Sequence, residues 1–296
     1  MSRHINKPQS ALLLGAGYVA RALAPHLIAD GWDVHVTTRS GETTLQNVTC
    51  HKFRGAASAD LQSAFVDAEI IVSSIPPAKD ATDPALSELG HLTPTAKWIA
   101  YLSATSVYGD RAGQWAFEGE APSPSLQRGK ARAEAELAWI ETLWPVHIFR
   151  LAGIYGSGRA PFEKLRSGKA RTIIKEGHIV NRIHVEDIVS ALLLSLQKPN
   201  PQTIYNIADG HPAPPQDVLD YAAGLLGLPP APRVDLHDPS VSTMARSFYA
   251  ETKRINADKA RRDLGWVPKF SSYRDGLTAI LAEESRPCPG ITKPPT

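Results

Sequence analysis

Ala11-Leu12-Leu13-Leu14-Gly15-Ala16-Gly17-Tyr18-Val19-Ala20 is a short apolar run that breaks at two glycines and resumes as an amphipathic stretch. The spacing predicts a strand over Ala11–Leu14 and a helix over Tyr18–Ala29, stopped by Gly31. A G-x-G-x-x-A pattern carries little by itself, but here a strand precedes it and a helix follows. In that setting Gly15 permits a tight turn, Gly17 lets the backbone approach a pyrophosphate, and the small Ala20 lets helix and strand pack closely. The helix N-terminus adds unpaired N–H groups and the positive end of its dipole. Gly15, Gly17, Tyr18 and Val19 are therefore the expected phosphate-end contacts of a dinucleotide. One local conflict is Pro25, which removes an interior hydrogen bond and predicts a kink costing roughly 3 kcal/mol.

Working outward, further strands are expected at Asp33–Thr37, Glu69–Ser74, Trp98–Ser103 and His147–Leu151. Helices are expected between them at Ala59–Val66, Pro84–Leu89 and Leu126–Leu143, the last with Ser125 as N-cap. This alternation predicts an α/β fold, a Rossmann-type doubly wound parallel sheet. Dinucleotides bind such sheets at the carboxyl ends of the strands, which adds Ser74, Ile75 and Ser103 to the expected cofactor contacts. The second strand ends in Val36-Thr37-Thr38-Arg39-Ser40, with no carboxylate to hold a ribose 2′-hydroxyl or repel a 2′-phosphate. Arg39 can pair with that phosphate while Thr38 or Ser40 hydrogen-bonds it, so the sequence favours NADP(H) over NAD(H).

Beyond residue 152 the regular alternation stops. Helices are expected at Val185–Leu196 and Gln216–Leu226 and a strand at Thr203–Ile207. Asn256 is placed to cap a helix over Ala257–Leu264, ended by Gly265, and Ser272 one over Tyr273–Glu284. The expected division is a dinucleotide-binding domain of residues 1–152 with 181–208, and a smaller C-terminal α/β substrate lobe of 153–180 with 209–285. A proline-rich tail, 286–296, follows.

Of the 296 residues 43% are hydrophobic and 21% charged, which suits a globular chain and argues against disorder or a membrane class. No apolar run reaches the ~18 residues of a spanning helix. Arg3 and Lys7 ahead of the apolar run imitate a signal peptide, but the glycine motif accounts better for the same residues. The net charge of +2 is spread without blocks of one sign, which speaks against nucleic acid as a partner. Cys50 and Cys288 stand far apart, outside any metal-site spacing, and read as free thiols in a reducing cytoplasm; no metal is expected.

Several runs, taken in order, resemble one family. They are Leu14-Gly15-Ala16-Gly17-Tyr18, Tyr101-Leu102-Ser103-Ala104-Thr105-Ser106-Val107-Tyr108-Gly109-Asp110 and Phe149-Arg150-Leu151-Ala152-Gly153-Ile154-Tyr155-Gly156. Arg182-Ile183-His184-Val185-Glu186-Asp187-Ile188, Ile204-Tyr205-Asn206-Ile207 and Leu264-Gly265-Trp266 complete the set. The chain is thus similar to the extended and atypical short-chain dehydrogenases/reductases, the NAD-dependent epimerase/dehydratase group, and within it to a branch lacking the usual active-site tyrosine. The resemblance implies a Tyr-x-x-x-Lys pair after the fifth strand, with a Ser or Thr near that strand's end. The lysine holds the nicotinamide ribose and lowers the tyrosine's pKa.

Matched residue by residue, Lys130 takes the lysine position, Leu126 the tyrosine position and Ala104 that of the Ser or Thr. Leucine and alanine carry no proton, so the usual relay cannot be transferred. Ser103 and Thr105 flank Ala104 and replace it only if the strand end bends. Tyr155 and His184 are the expected substitutes, His184 through a pKa brought into the physiological range by Glu186 and Asp187. Thr105, Tyr155, Arg182 and Tyr249 are the expected substrate contacts, Arg182 as an anchor for a polar or anionic group. Two readings stay open: an NADP(H)-dependent oxidoreductase or epimerase acting on a small polar carbonyl, hydroxyl or sugar-like molecule, and a dinucleotide-binding sensor or scaffold without catalysis. The resemblance also makes a homodimer an expectation.

Overall fold

The computed structural model describes residues 9–286; Arg3, Lys7, Cys288 and the tail from 287 lie outside them. Numbered in chain order, seven strands form one parallel sheet: β1 (Ser10–Leu14), β2 (Asp33–Thr38), β3 (Val48–Lys52), β4 (Ile70–Ser73), β5 (Trp98–Ala104), β7 (Val146–Leu151) and β11 (Thr203–Ile207). Their spatial order is β11-β7-β5-β4-β1-β2-β3, so the chain runs outward from β1 in one direction, returns, and runs outward in the other. The six short strands pair separately: β6 (Trp115–Ala116) with β13 (Arg254–Ile255), β8 (Gly153–Tyr155) with β10 (Arg182–His184), and β9 (Thr172–Ile174) with β12 (Arg233–Asp235).

The central strands are apolar throughout because both faces of the sheet are covered. Successive side chains alternate in facing. Ala11, Leu13, Val34, Val36, Ile70 and Val72 enter one buried cluster, while Leu12, Leu14, Ile71, Ile99 and Ile148 enter another. The first cluster is completed by α1 (Tyr18–Ala29), α6 (Val185–Gln197) and α9 (Asp258–Leu264), the second by α2 (Ala59–Asp67), α3 (Pro84–Leu89) and α4 (Gln127–Glu141). A third cluster stands apart: Tyr155 with residues of α5 (Phe162–Arg166), α7 (Pro215–Leu225) and α10 (Tyr273–Glu284). The remaining helix, α8 (Thr243–Phe248), buries no side chain. None of these helices is long and apolar enough to cross a membrane.

Four local expectations change. Helix α1 runs through Pro25, which is exposed, as is Arg21, whose carbonyl loses its partner and can turn to water. Ser125 does not cap α4; the N-cap is Leu126, and the Ser125 hydroxyl instead donates to Glu251 Oε1 at 2.5 Å. Asn256 precedes the N-cap of α9, Ala257, and its Oδ1 accepts from the Asp258 N–H. Residues Ile255 to Trp266, expected in the substrate lobe, pack into the cluster on the sheet.

Helix α4 is fixed to the sheet by charge as well as by apolar contact. Glu136 and Arg150, 3% and 1% exposed, meet with Arg150 Nη2 donating to Oε2 at 2.7 Å and Nε donating to both carboxylate oxygens at 3.1 Å. The Arg150 guanidinium also lies 4.8 Å from the centre of the Tyr108 ring. Removing one partner strands the other charge in the core. Glu136→Ala is therefore expected to destabilise the fold by about 3–5 kcal/mol, read from urea unfolding, whereas a loss under about 1 kcal/mol would show that Arg150 is already satisfied without it.

Candidate functional site

The glycine turn between β1 and α1 is held from two sides. The Gly15 N–H donates to Thr37 Oγ1 at 2.7 Å and the Ala16 N–H to the Thr37 carbonyl at 2.8 Å. From β4, the Ser74 hydroxyl reaches the carbonyls of Gly15 at 2.9 Å and Leu14 at 3.2 Å. Gly15 has φ +93°, and a Cβ there would meet Ser74 Oγ at 2.9 Å, so only glycine fits without a shift. Gly17 differs: it is the extended N-cap of α1, with nothing nearer than 3.9 Å to where a Cβ would stand. No side chain caps α1 and no acidic residue lies in its first turn, which leaves its N–H groups and dipole to face the opening.

That opening is a cleft of about 930 Å³ at the carboxyl ends of β1, β2 and β4. It brings together the expected Gly15, Gly17, Thr38, Arg39, Ser40, Ser74 and Ile75. Thr38 Oγ1 accepts the Gly41 N–H and Ser40 Oγ the Glu42 N–H, so both hydroxyls already shape the loop. The cleft also includes Arg54 and Glu42, which the sequence reading missed. Arg54 follows β3, a strand left unassigned because its polar, half-exposed residues sit on the sheet edge.

A second cavity, about 260 Å³, adjoins the first, with Ser74 in both walls. Tyr18, Val19, Ser103, Ala104 and Arg132 line it, at the ends of β5 and β7. Tyr18 donates its hydroxyl to the Ser157 carbonyl at 2.8 Å, and burial raises its pKa. Ser103 donates to Glu136 Oε1 at 2.5 Å. Lys130, expected to hold the ribose, is exposed and lines neither of these two cavities. Two residues along a helix turn about 200°, so Lys130 and Arg132 face opposite ways, and the residue directed at the cavity is Arg132. Its Nη1 donates to the Tyr101 hydroxyl and the Leu102 carbonyl, both at 3.1 Å. One turn earlier, Arg128 is tied to Ser247 and covers the Phe248 ring at 4.5 Å.

The third cavity, about 510 Å³, lies in the smaller lobe and shares Arg159 with the second. Tyr155 and Arg182, two of the four expected substrate contacts, line it, while Thr105 and Tyr249 line none of the three. Tyr249 packs its ring on His178, with ring centres 4.6 Å apart.

Neither proposed proton carrier has the expected setting. Tyr155 donates to the Ser272 carbonyl at 3.2 Å, and burial, reinforced by Asp209, Asp187 and Asp275, pushes its pKa far above the ordinary tyrosine value. His184 lines none of the three cavities. Its Nδ1 accepts the Glu186 N–H and caps α6, while its ring packs against Phe270 and Tyr155. Burial lowers its pKa and outweighs Glu186, where the sequence pointed to a carboxylate-raised imidazole. No group of three or more His, Cys, Asp or Glu side chains among the described residues could hold a metal ion.

The architecture is Rossmann-type, a parallel sheet covered by helices on both faces. A family model described as NADP oxidoreductase, coenzyme F420-dependent, matches residues 11–94, the stretch from β1 to just past α3. The chain belongs to the family of Protein YeeZ of Escherichia coli (strain K12), with which it is 32% identical over 244 residues, 74% of this chain and 84% of that protein. A conserved protein of unknown function from Silicibacter pomeroyi DSS has the same fold at a TM-score of 0.86 and 39% identity, covering 93% of this chain and 99% of its own. The dTDP-glucose 4,6-dehydratase of Bacillus anthracis str. Ames, solved in complex with NAD, shares the fold at a TM-score of 0.74 and 18% identity, over 94% and 97% of the two chains.

One further group stands behind the lobe cavity. Asp209 is 2% exposed; its Oδ1 accepts the His211 N–H at 2.9 Å, and its Oδ2 is buried with no partner among the described residues. Burial pushes this carboxyl up to about 7, against the lowering effects of the His211 N–H and of Arg182. A carboxyl raised on folding favours the neutral form, so its contribution to stability is fully present below the ordinary value near 4 and is lost as pH rises through 7. Asp209→Asn, neutral at every pH, is expected to gain on the wild type by on the order of 2 kcal/mol between pH 5 and pH 8. Thermal unfolding of both proteins at the two pH values measures it; a constant difference would show that Asp209 ionises normally.

Proposed function

We propose that the chain binds NADP(H) in preference to NAD(H) and moves hydride to or from a small polar carbonyl or hydroxyl substrate. The observation that carries this reading is the series of three neighbouring hollows: the cleft at the glycine turn, the cavity that shares Ser74 with it and the lobe cavity that shares Arg159 with the second. A dinucleotide laid on the uncapped α1 terminus would direct its nicotinamide into the second hollow and leave the third for substrate. Arg39 and Arg54 at the far end of the cleft support a 2′-phosphate, with Glu42 the one carboxylate in that wall. Arg132 supplies, beside the ribose, the cation expected of Lys130.

The cofactor brings the hydride chemistry; the chain's part is to bind, orient and exclude water. A second reading, a dinucleotide-binding sensor without turnover, is favoured by one observation. No imidazole or carboxylate lines the second hollow, and its hydroxyls are already engaged: Ser103 by Glu136, Ser74 by the Leu14 and Gly15 carbonyls, and Tyr18 by the Ser157 carbonyl. Turnover of NADPH against a panel of carbonyl compounds separates the two.

Cofactor titration by calorimetry tests the binding. NADPH should bind more tightly than NADH, and Arg39→Ala should narrow the gap by about 1.5–3 kcal/mol, the range for a hydrogen bond to a charged group. Gly17→Val should keep its circular dichroism and lose both cofactors, because the side chain fills the phosphate approach. Equal affinities in the wild type would remove Arg39 as selector, and normal binding by Gly17→Val would overturn the phosphate site.

A further inference from the structure

The walls of the lobe cavity carry charge of one sign. Arg159, Lys164, Lys169, Arg171 and Arg182 line it, and no carboxylate does. Carboxylates are present on the same lobe but are directed elsewhere: Glu284 pairs with Arg166 at 2.8 Å and Asp220 with Arg233 at 3.3 Å, neither arginine lining the cavity. Five cations around a hollow of about 510 Å³ repel one another and focus a positive field into it.

Two of the five are held in place before any ligand arrives. Arg182 sits on β10, half-buried, and its Nη1 donates to the carbonyls of Val180 at 2.9 Å and Ala213 at 3.1 Å. That fixes the guanidinium plane, and the rest of its fork donates to nothing among the described residues. Arg171 is anchored by the hydroxyl and carbonyl of Ser240, at 3.2 and 3.1 Å. A fixed fork gives up little freedom on gripping a phosphate or carboxylate. The opposite wall is apolar, with Val218, Leu219, Leu277 and the Tyr273 ring.

We propose that the lobe cavity is an anion site, in which Arg182 grips a phosphate or carboxylate of the substrate, Lys164, Lys169 and Arg171 draw it in, and the apolar wall takes the rest of the molecule. This rests on the reading of the second hollow as the reacting end, which the shared Arg159 sets beside the lobe cavity.

The test is calorimetric titration of the full chain, with NADPH present, against phenyl phosphate, 3-phenylpropionate, uridine diphosphate and the neutral 3-phenylpropanol. The three anions should bind and the alcohol should not, with affinity falling as salt is raised. The strongest of the three identifies the group as phosphate monoester, carboxylate or diphosphate. Arg182→Met should weaken the bound anion at least tenfold, with Arg182→Lys intermediate. Should Arg182→Met fail to fold, the exposed pair Lys164→Gln and Lys169→Gln, read as a double variant, should weaken the anion and flatten the salt dependence. Equal binding of anion and alcohol, no binding of any anion to the folded chain, or indifference of anion affinity to these variants overturns the proposal. NADPH titration without the probes is a separate readout: anions that bind where NADPH does not would leave the anion site standing and remove the dinucleotide reading, and the reverse outcome would do the opposite.

Discussion

Everything in the site depends on how closely the turn after β1 approaches the end of β4. The Ser74 hydroxyl lies in contact with the carbonyls of Leu14 and Gly15, and Thr37 holds the same turn from β2. Three neighbouring strands thus converge on a loop with no room for a side chain at Gly15. The sheet changes direction at β1, so the connections after β1 and β4 leave on opposite faces and open a crevice between them. The turn's conformation, the free N–H groups of α1 and the cleft are consequences of one packing constraint.

The second constraint is the rotation of α4. Glu136 must reach Arg150, and Trp139 Nε1 donates to Asp83 Oδ2 at 3.0 Å on the other side of the helix contact. With those two points fixed, the helical period decides what else faces the sheet: Ala131 and Ala135 are buried, Arg132 points to the cavity, and Lys130 points to water. The same Glu136 accepts from Ser103, so the group that positions the helix also commits the hydroxyl at the end of β5. Structure and site share one carboxylate here, since Glu136 holds both Arg150 in the core and Ser103 at the cavity.

What could be read from residues alone follows from these constraints. The strands β1, β2, β4, β5 and β7 were legible because double-sided burial makes them apolar runs between turn signals, and the phosphate end was legible because its glycines have local steric reasons. β3 was not, since an edge strand facing solvent needs no apolar pattern. Position in sequence pointed to Lys130, whereas the tertiary anchor of Glu136 turns Arg132, half a helical turn on, toward the cavity. Ser125 looks like a cap but is claimed by Glu251, more than 100 residues away in the chain. The lobe cavity is assembled from α5, β10, α7 and α10, so no contiguous motif could announce it; of its lining, only Tyr155 and Arg182 were named from sequence, from the runs after β7 and before α6.

Burial also decides what the ionisable groups around the lobe can do. Tyr155 is pushed up, His184 is pushed down and Asp209 is raised, in each case chiefly because removal from water disfavours the charged form. Tyrosine above its ordinary range and histidine below it are both neutral at neutral pH, so neither exchanges a proton readily there. A carboxyl near 7 is half neutral under the same conditions, which weakens the one negative charge directly behind Arg182. Of the five cations of the cavity, Arg159, Lys164, Lys169 and Arg171 are exposed and Arg182 is half-buried. The lobe therefore presents a positive field that Asp209 weakens as it gains charge with pH rising through 7, an arrangement suited to holding an anion rather than to moving protons.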